Sequence, residues 1–222
     1  MNLYIAITTI KKYKIALDIL LESLPKEWKN KYILVYENEN SNDYKVFDDG
    51  HIEVTIQNNI YDYGNWVGIN MLITNKVIYS DSWFLFIHDT CRFLSDSCVK
   101  KTNDIILEYH KTNVDIIWLS HNGQCNICLI RRDGIKEGER YKNIMNMTKE
   151  DTIIYEWTTH HILSPKSFNV IQNFLDIPTV LLGKRYVYNN EIQRDVLLYN
   201  SIDMEKYYYF IFVGVDTHPS IP

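Results

Sequence analysis

No run of apolar residues in this sequence approaches the roughly 20 needed to cross a bilayer as a helix, so a helical membrane span is not expected. Cysteine is scarce: Cys91, Cys98, Cys125 and Cys128 are the four in 222 residues. That is too few for a disulfide-built scaffold and fits a reducing cytoplasm. Glycine and proline, at 8 and 5, never cluster, so no linker divides the chain and one domain over 1–222 is expected. Internal repeats and low-complexity tracts are missing too. MNLYIAITTI has neither a basic stretch ahead of its apolar part nor a small-residue cleavage site after it, so no signal peptide is expected. The 23 Lys and Arg residues are outnumbered by 28 Asp and Glu and are dispersed, which argues against a nucleic-acid partner.

What is present is apolar and aromatic mass. Hydrophobic residues make up 46% and aromatics 14%, enough to build a core and to exclude disorder. The excess of Lys over Arg, with much Ile, Asn and Tyr, reads as the coding bias of an AT-rich genome.

Strand-like and helix-like stretches alternate. LYIAIT (3–8) is rich in β-favouring residues and ends at Thr8 and Thr9, and YKIALDILLESLP (13–25) then sets Ile15, Ile19, Leu20 and Leu24 at helical spacing before Pro25. KYILVYE (31–37) and HIEVTIQ (51–57) read as strands, with the loop NENSND after the former. A helix is predicted from Gly64 to about Ile78, behind the polar and aromatic loop NNIYDYGN. Further on, DSCVKKTNDIILEYHK, KEGERYKNIMN and TKEDTIIYEWTTHH read as helices, and VDIIWLS, NICLIRR and KYYYFIFVGV (206–215) as strands. This alternation predicts an α/β fold with a mostly parallel central sheet flanked by helices on both faces.

SWFLFIHDTCRF (82–93) carries the most chemistry. A strand buried on both faces reads as a continuous apolar run, as WFLFI does. Ligands of open α/β sheets bind beyond the carboxyl ends of the strands, where this run meets Asp89. A carboxylate there is costly unless it is paired, hydrogen-bonded or bound to a cation, and the expectation is that Asp89 lies exposed in a cleft. His88 faces away from Asp89 on a two-residue period, which favours a packed imidazole. The pair CNIC (125–128) mimics half a zinc site, yet on a strand an i, i+3 pair points to opposite faces, so buried thiols are expected.

In order, a βαβ opening whose first strand ends in Thr8 and Thr9, a helix behind a Gly64–Asn65 turn, and an apolar strand ended by Asp89 resemble the GT-A fold of nucleotide-sugar glycosyltransferases, a Rossmann-like architecture. The single-domain form and AT-rich composition are similar to glycosyltransferases of large DNA viruses. The likeness spans roughly the first 160 residues. It implies a donor half (1–110), an acceptor half (111–222), a UDP- or GDP-sugar donor, a glycan or other hydroxyl acceptor, and a host-cytoplasm location.

In that family an Asp-x-Asp motif ends the fourth strand and holds Mn²⁺ or Mg²⁺ against the donor diphosphate, whose negative charge grows as the sugar bond breaks. Here the motif is HDTC, with Asp89 as its single carboxylate. A cation would then lean on phosphate oxygens, water and a distant His161 or His218, which implies weak or optional metal dependence. The resemblance also implies that Thr8 and Thr9 meet the nucleoside and that Glu37 reaches the base or ribose. Tyr63, Gly64, Asn65 and Asn70 would close over the donor, with His88 beside Asp89 as a further donor contact. Lys184, Arg185 or Arg194 would add late positive charge.

An inverting transfer needs a base for the attacking hydroxyl. The resemblance implies an acid that opens a helix, and TKEDTIIYEW offers Glu150, Asp151 and Glu156, with Asp151 assigned the role. Thr148 with an acid three residues later is also a capping box, which needs no catalysis. Trp157, His160 and His161 would form an acceptor wall. Two rivals stand beside this reading. A sugar nucleotidyltransferase wants a glycine-rich loop after its first strand, and TTIKKYK has lysines but no glycine. A non-catalytic nucleotide or carbohydrate binder draws support from the missing second acid.

Overall fold

The apolar octet NLYIAITT forms β1 (Asn2–Thr9), the central strand of the computed structural model. The structure describes residues 2–60, 63–78, 81–119, 127–135, 144–152 and 197–206, together with short strands at 170–171, 179–180, 186–188 and 192–194. On one side β1 pairs in parallel with β2 (Tyr32–Tyr36). Beyond β2 lie β4 (Ile52–Thr55), parallel to it, and β3 (Asp43–Val46), antiparallel at the edge. On its other side β1 pairs in parallel with β5 (Ser82–His88) over seven registered residues, from Asn2↔Ser82 to Thr8↔His88. The sheet then continues through β8 (Cys128–Arg131), β7 (Ile116–Trp118) and β9 (Val170–Ile171), in the order β3-β4-β2-β1-β5-β8-β7-β9.

Helices cover both faces. The helix α2 (Gly64–Thr74) sends Trp66, Val67, Ile69, Leu72 and Ile73 onto Ala6, Val35, Val54, Phe84 and Phe86 in one cluster of buried residues. On the opposite face α1 (Lys14–Ser23) and α3 (Ser97–His110) pack Leu17, Leu20, Cys98 and Ile106 onto Ile5, Ile7, Leu85 and Ile87. With both faces covered, every residue from Ser82 to Ile87 is buried, which accounts for the unbroken apolar run. Contact between α2 and β2 is close enough that a methyl at Gly68 would sit 2.9 Å from Val35 Cγ2.

The fold is therefore α/β with a mostly parallel sheet, as the alternation predicted, into which two antiparallel strands, β3 and β8, are set. Only the β4-β2-β1-β5 centre is continuously parallel, and β8 runs antiparallel between β5 and β7. Residues 38–43 lead into a short edge strand, β3, whose exposed, charged DYKV carries no apolar alternation to announce it. In α1 the buried face is Ala16, Leu17 and Leu20, and Ile15 is left 55% exposed. The second helix stops at Thr74, four residues short of the expected end. Among the described residues no helix is long and apolar enough to cross a membrane.

After the two-residue turn at Asp89 and Thr90 the chain leaves the main sheet as β6 (Cys91–Phe93). It enters a second, antiparallel sheet with β10 (Thr179–Val180), β13 (Leu197–Tyr199) and β14 (Met204–Lys206), in the order β10-β13-β14-β6. A separate hairpin pairs β11 (Tyr186–Tyr188) with β12 (Ile192–Arg194). The turn between β13 and β14 is fastened to the start of α3. Asp203, at a left-handed φ of 54°, accepts hydrogen bonds from the Ser95 hydroxyl at 2.5 Å and the Ser97 hydroxyl at 2.7 Å.

These hydroxyls, Ser95 foremost, hold the Asp203 carboxyl below the usual carboxylate range, with Lys101 adding to the effect. A depressed folded value gives a stabilisation that is complete above the unfolded value of about 3.9 and is lost as pH falls through the folded one. Asp203→Asn tolerates the same left-handed backbone. It is expected to lower the thermal midpoint near neutral pH, with the gap to wild type closing below about pH 4. Equal gaps at about pH 3 and pH 7 would contradict this role.

Candidate functional site

Strand register alone brings two acids to either side of the Thr8–Thr9 pair. Tyr36 is the partner of Thr9 across β1 and β2, and the next amide, Glu37 N–H, donates to Thr9 O at 2.9 Å. His88 is the partner of Thr8 across β1 and β5, and Asp89 N–H donates to Thr8 O at 3.3 Å. Because β2 leaves β1 on one side and β5 on the other, this is where the strand order reverses. Open α/β sheets bind ligands at that switch point, beyond the carboxyl ends.

Asp89 is fully buried. Its Oδ2 accepts a hydrogen bond from the Thr9 hydroxyl at 2.6 Å, between residues 80 apart in sequence. The expectation of an acid exposed in a cleft is corrected here. The Asp89 side chain is enclosed, and a hydroxyl of the neighbouring strand supplies part of the solvation that burial removed. Thr9 belongs by parity with Ile5 and Ile7, on the face covered by α1 and α3.

Glu37, Thr8 and Gly64 meet on the other face. A Cβ built on Gly64 would lie 2.5 Å from Glu37 Oε1 and 2.8 Å from Thr8 Cγ2. A side chain here would have to displace the Glu37 carboxylate and the Thr8 methyl. That carboxylate stands against the first turn of α2, which has no side-chain cap and no acid of its own. A negative charge is favourable at a helix start. Asn65, expected to touch sugar or nucleotide, instead ties strands together: its amide nitrogen donates to Ala6 O and Ile87 O, both at 3.1 Å. Its Oδ1 and the Thr8 hydroxyl are buried with no hydrogen-bond partner.

No protein-family model matches this chain, and no curated protein matches it. The site is therefore read on its own chemistry. Thr8, Thr9, Glu37, Gly64, Asn65 and Asp89 come together at the switch point. Tyr63 is buried at the N-cap of α2, while Asn70 lies about two turns further along. His88, half-buried, ends β5 next to Asp89.

Asp151 is exposed, and its carboxylate makes the capping box that the sequence suggested. Thr148 donates to Asp151 Oδ2 from its backbone N–H at 3.2 Å and its hydroxyl at 2.9 Å, and Asp151 N–H returns a bond to Thr148 Oγ1. Glu150 beside it is exposed as well. Cys125, Glu156, Trp157, His160, His161, Lys184, Arg185 and His218 lie outside the described residues, as do the side chain of Arg194 and most of the helices and late strand predicted at 136–161 and 206–215.

The thiols nearby are inert. Burial pushes Cys91, two residues after Asp89, up to about 11, and it raises Cys128 as well. Cys98 goes up to about 12 through burial and then Asp203. None is a thiolate nucleophile near neutral pH. The Tyr36 phenol, half-buried and facing Glu53, is pushed up to about 12 and stays a protonated donor.

The described residues at the switch point do not by themselves make a site for a protein-held divalent cation. Among the described residues no three His, Cys, Asp or Glu side chains cluster as a metal site would require. Asp89, the one carboxylate of HDTC, is enclosed and engaged by Thr9. Sequence reasoning missed two features: Thr9 as the partner of Asp89, and Asn65 as the clamp between β1 and β5. The first was readable from register once β1 and β5 were known to be neighbours. Nothing in the sequence signals the second.

Thr9→Val keeps the shape and removes the hydroxyl from Asp89. The expected loss is about 2–4 kcal/mol, since a buried carboxylate loses a short charge-assisted bond. Urea denaturation of Thr9→Val, Asp89→Asn and the double variant should give a coupling energy above about 1 kcal/mol. Additive effects would mean that the two side chains do not meet in solution.

Proposed function

We propose that the chain is a glycosyltransferase of GT-A type that moves a sugar from a nucleoside diphosphate onto a hydroxyl acceptor. One observation carries the reading: Thr8, Thr9, Glu37, Gly64, Asn65 and Asp89, from four separate segments, gather at the switch point of the sheet. Strands β4, β2 and β1 repeat the 3-2-1 order of a mononucleotide-binding half, and β5 opens the other side. In this reading the nucleoside lies toward Glu37, Thr8 and the first turn of α2, and the diphosphate toward Thr9 and Asp89.

Asp151 is the assigned base for the acceptor hydroxyl, with Glu150 as its neighbour. Two observations support that assignment. Its carboxylate is exposed, and Asn58 in the loop after β4 donates to Met145 O at 2.6 Å, which ties the 144–152 segment to the carboxyl side of the sheet. A base there would take the hydroxyl proton as the new bond to the sugar forms.

A second reading, a binder that kept the fold without the chemistry, is favoured by the enclosure of Asp89. Thermal unfolding with UDP and GDP, with and without Mn²⁺, tests both. At 100-fold excess over Kd, binding adds about 2.7 kcal/mol. For a chain this size that is about 5–10 °C. The transferase reading expects such a shift and turnover of at least one nucleotide sugar. Shift without turnover would favour a nucleotide binder, and no shift with either nucleotide would overturn both the transferase and the nucleotide binder.

A further inference from the structure

A diphosphate arriving at this switch point needs positive charge. Two acids, Glu37 and Asp89, already stand there, both buried. The described residues do not cluster into a cation site beside them. Among the described residues, the cations near this end are Lys206, whose strand position pairs with Cys91, and the lysines of the turn directly after β1. Ile10 is followed by a tight 3₁₀ turn, Lys11–Tyr13, before α1 begins. One residue, Ile10, separates Lys11 from Thr9, a span of at most about 7 Å between their Cα atoms.

The lysines of this turn are held differently. Lys14 is committed to Asp18 at 2.6 Å, one helical turn along α1. Lys12 rests its ammonium 4.8 Å from the Tyr13 ring centroid. Lys11 reaches across to Glu39, in the loop after β2, and so spans the carboxyl ends of β1 and β2. The Lys11 side chain is 69% exposed, whereas that of Glu39 is only 11% exposed. An exposed ammonium can therefore turn from Glu39 toward a phosphate without unpacking the protein, and both partners are anionic oxygens.

We propose that Lys11 and Lys12 neutralise the diphosphate of a bound nucleotide, in the place where a carboxylate-held cation would otherwise stand, and that Glu39 holds Lys11 until the nucleotide arrives. The inference rests on the nucleotide reading above. Glu39 then acts as a competitor: its release of Lys11 is part of binding, so removing its charge favours the diphosphate. Lysine suits the task as a compact charge on a flexible stem.

Isothermal titration of UDP and GDP, with uridine and guanosine as phosphate-free controls, tests this in EDTA and again in Mn²⁺. The quantity to follow is the ratio of diphosphate to nucleoside affinity. Wild type is expected to bind one of the two nucleotides in EDTA. Lys11→Gln and Lys12→Gln should each lower the ratio by about three- to tenfold, the range of one charge-assisted contact at an exposed site. Glu39→Gln should raise it, which a merely structural salt bridge would not do. Binding confined to Mn²⁺, or a ratio unchanged in the lysine variants, would overturn the inference and leave the nucleotide reading standing. Binding of neither nucleotide in either buffer would overturn both.

Discussion

At the point where the strand order reverses, the Thr9 hydroxyl donates to the buried Asp89 carboxylate, and the β1–β5 pairing around it depends on that bond being kept. It links the end of the central strand to the turn from which the chain leaves the main sheet for the second one. A buried carboxylate is tolerated only with partners of this kind. The consequence is a constraint on both neighbours: β1 and β5 must stay in register up to Thr8↔His88, and Asn65 fastens the same two strands from the α2 side.

Around that bond the two faces of the sheet divide the chemistry. One face holds Thr9 and Asp89 over the α1 and α3 core. The other brings Glu37, Thr8 and Gly64 together so tightly that a Cβ on the glycine would have to displace the other two. Polar groups at the carboxyl end are thus held by the fold itself, and nearby the exposed Lys11 side chain is paired with the largely buried Glu39. Preorganised polar groups with an exposed charge nearby are what recognition of a charged leaving group asks of a protein.

The sequence carried the centre of the fold because burial leaves a readable trace: WFLFI reads as a strand buried on both faces and LYIAIT as β-rich. It did not carry the antiparallel insertion of β8, since an apolar run has no direction. Nor did it carry β3, which is charged and solvated, or the orientation of α1, where Ile15 is exposed and Ala16 buried. At the site, residue identities were legible as a set, because strand ends converge in any α/β sheet. Their partners were not. Whether Asp89 faces solvent or Thr9 depends on register, on the turn into β6 and on what encloses it, and those are tertiary facts. Asn65 looked like a ligand contact because an amide beside a glycine turn suits one, and the structure spends that amide on two backbone carbonyls instead.

The account stands on the carboxyl end of β1 being where a nucleotide binds. A titration of isotopically labelled protein with UDP and with GDP, followed by two-dimensional amide NMR, reads this directly. The account predicts that one nucleotide moves the amides of Thr8 to Lys12, Glu37, Gly64, Asn65 and Asp89 together and leaves the β3 edge unmoved. Shifts that cluster elsewhere, with these amides unmoved at saturation, would contradict it.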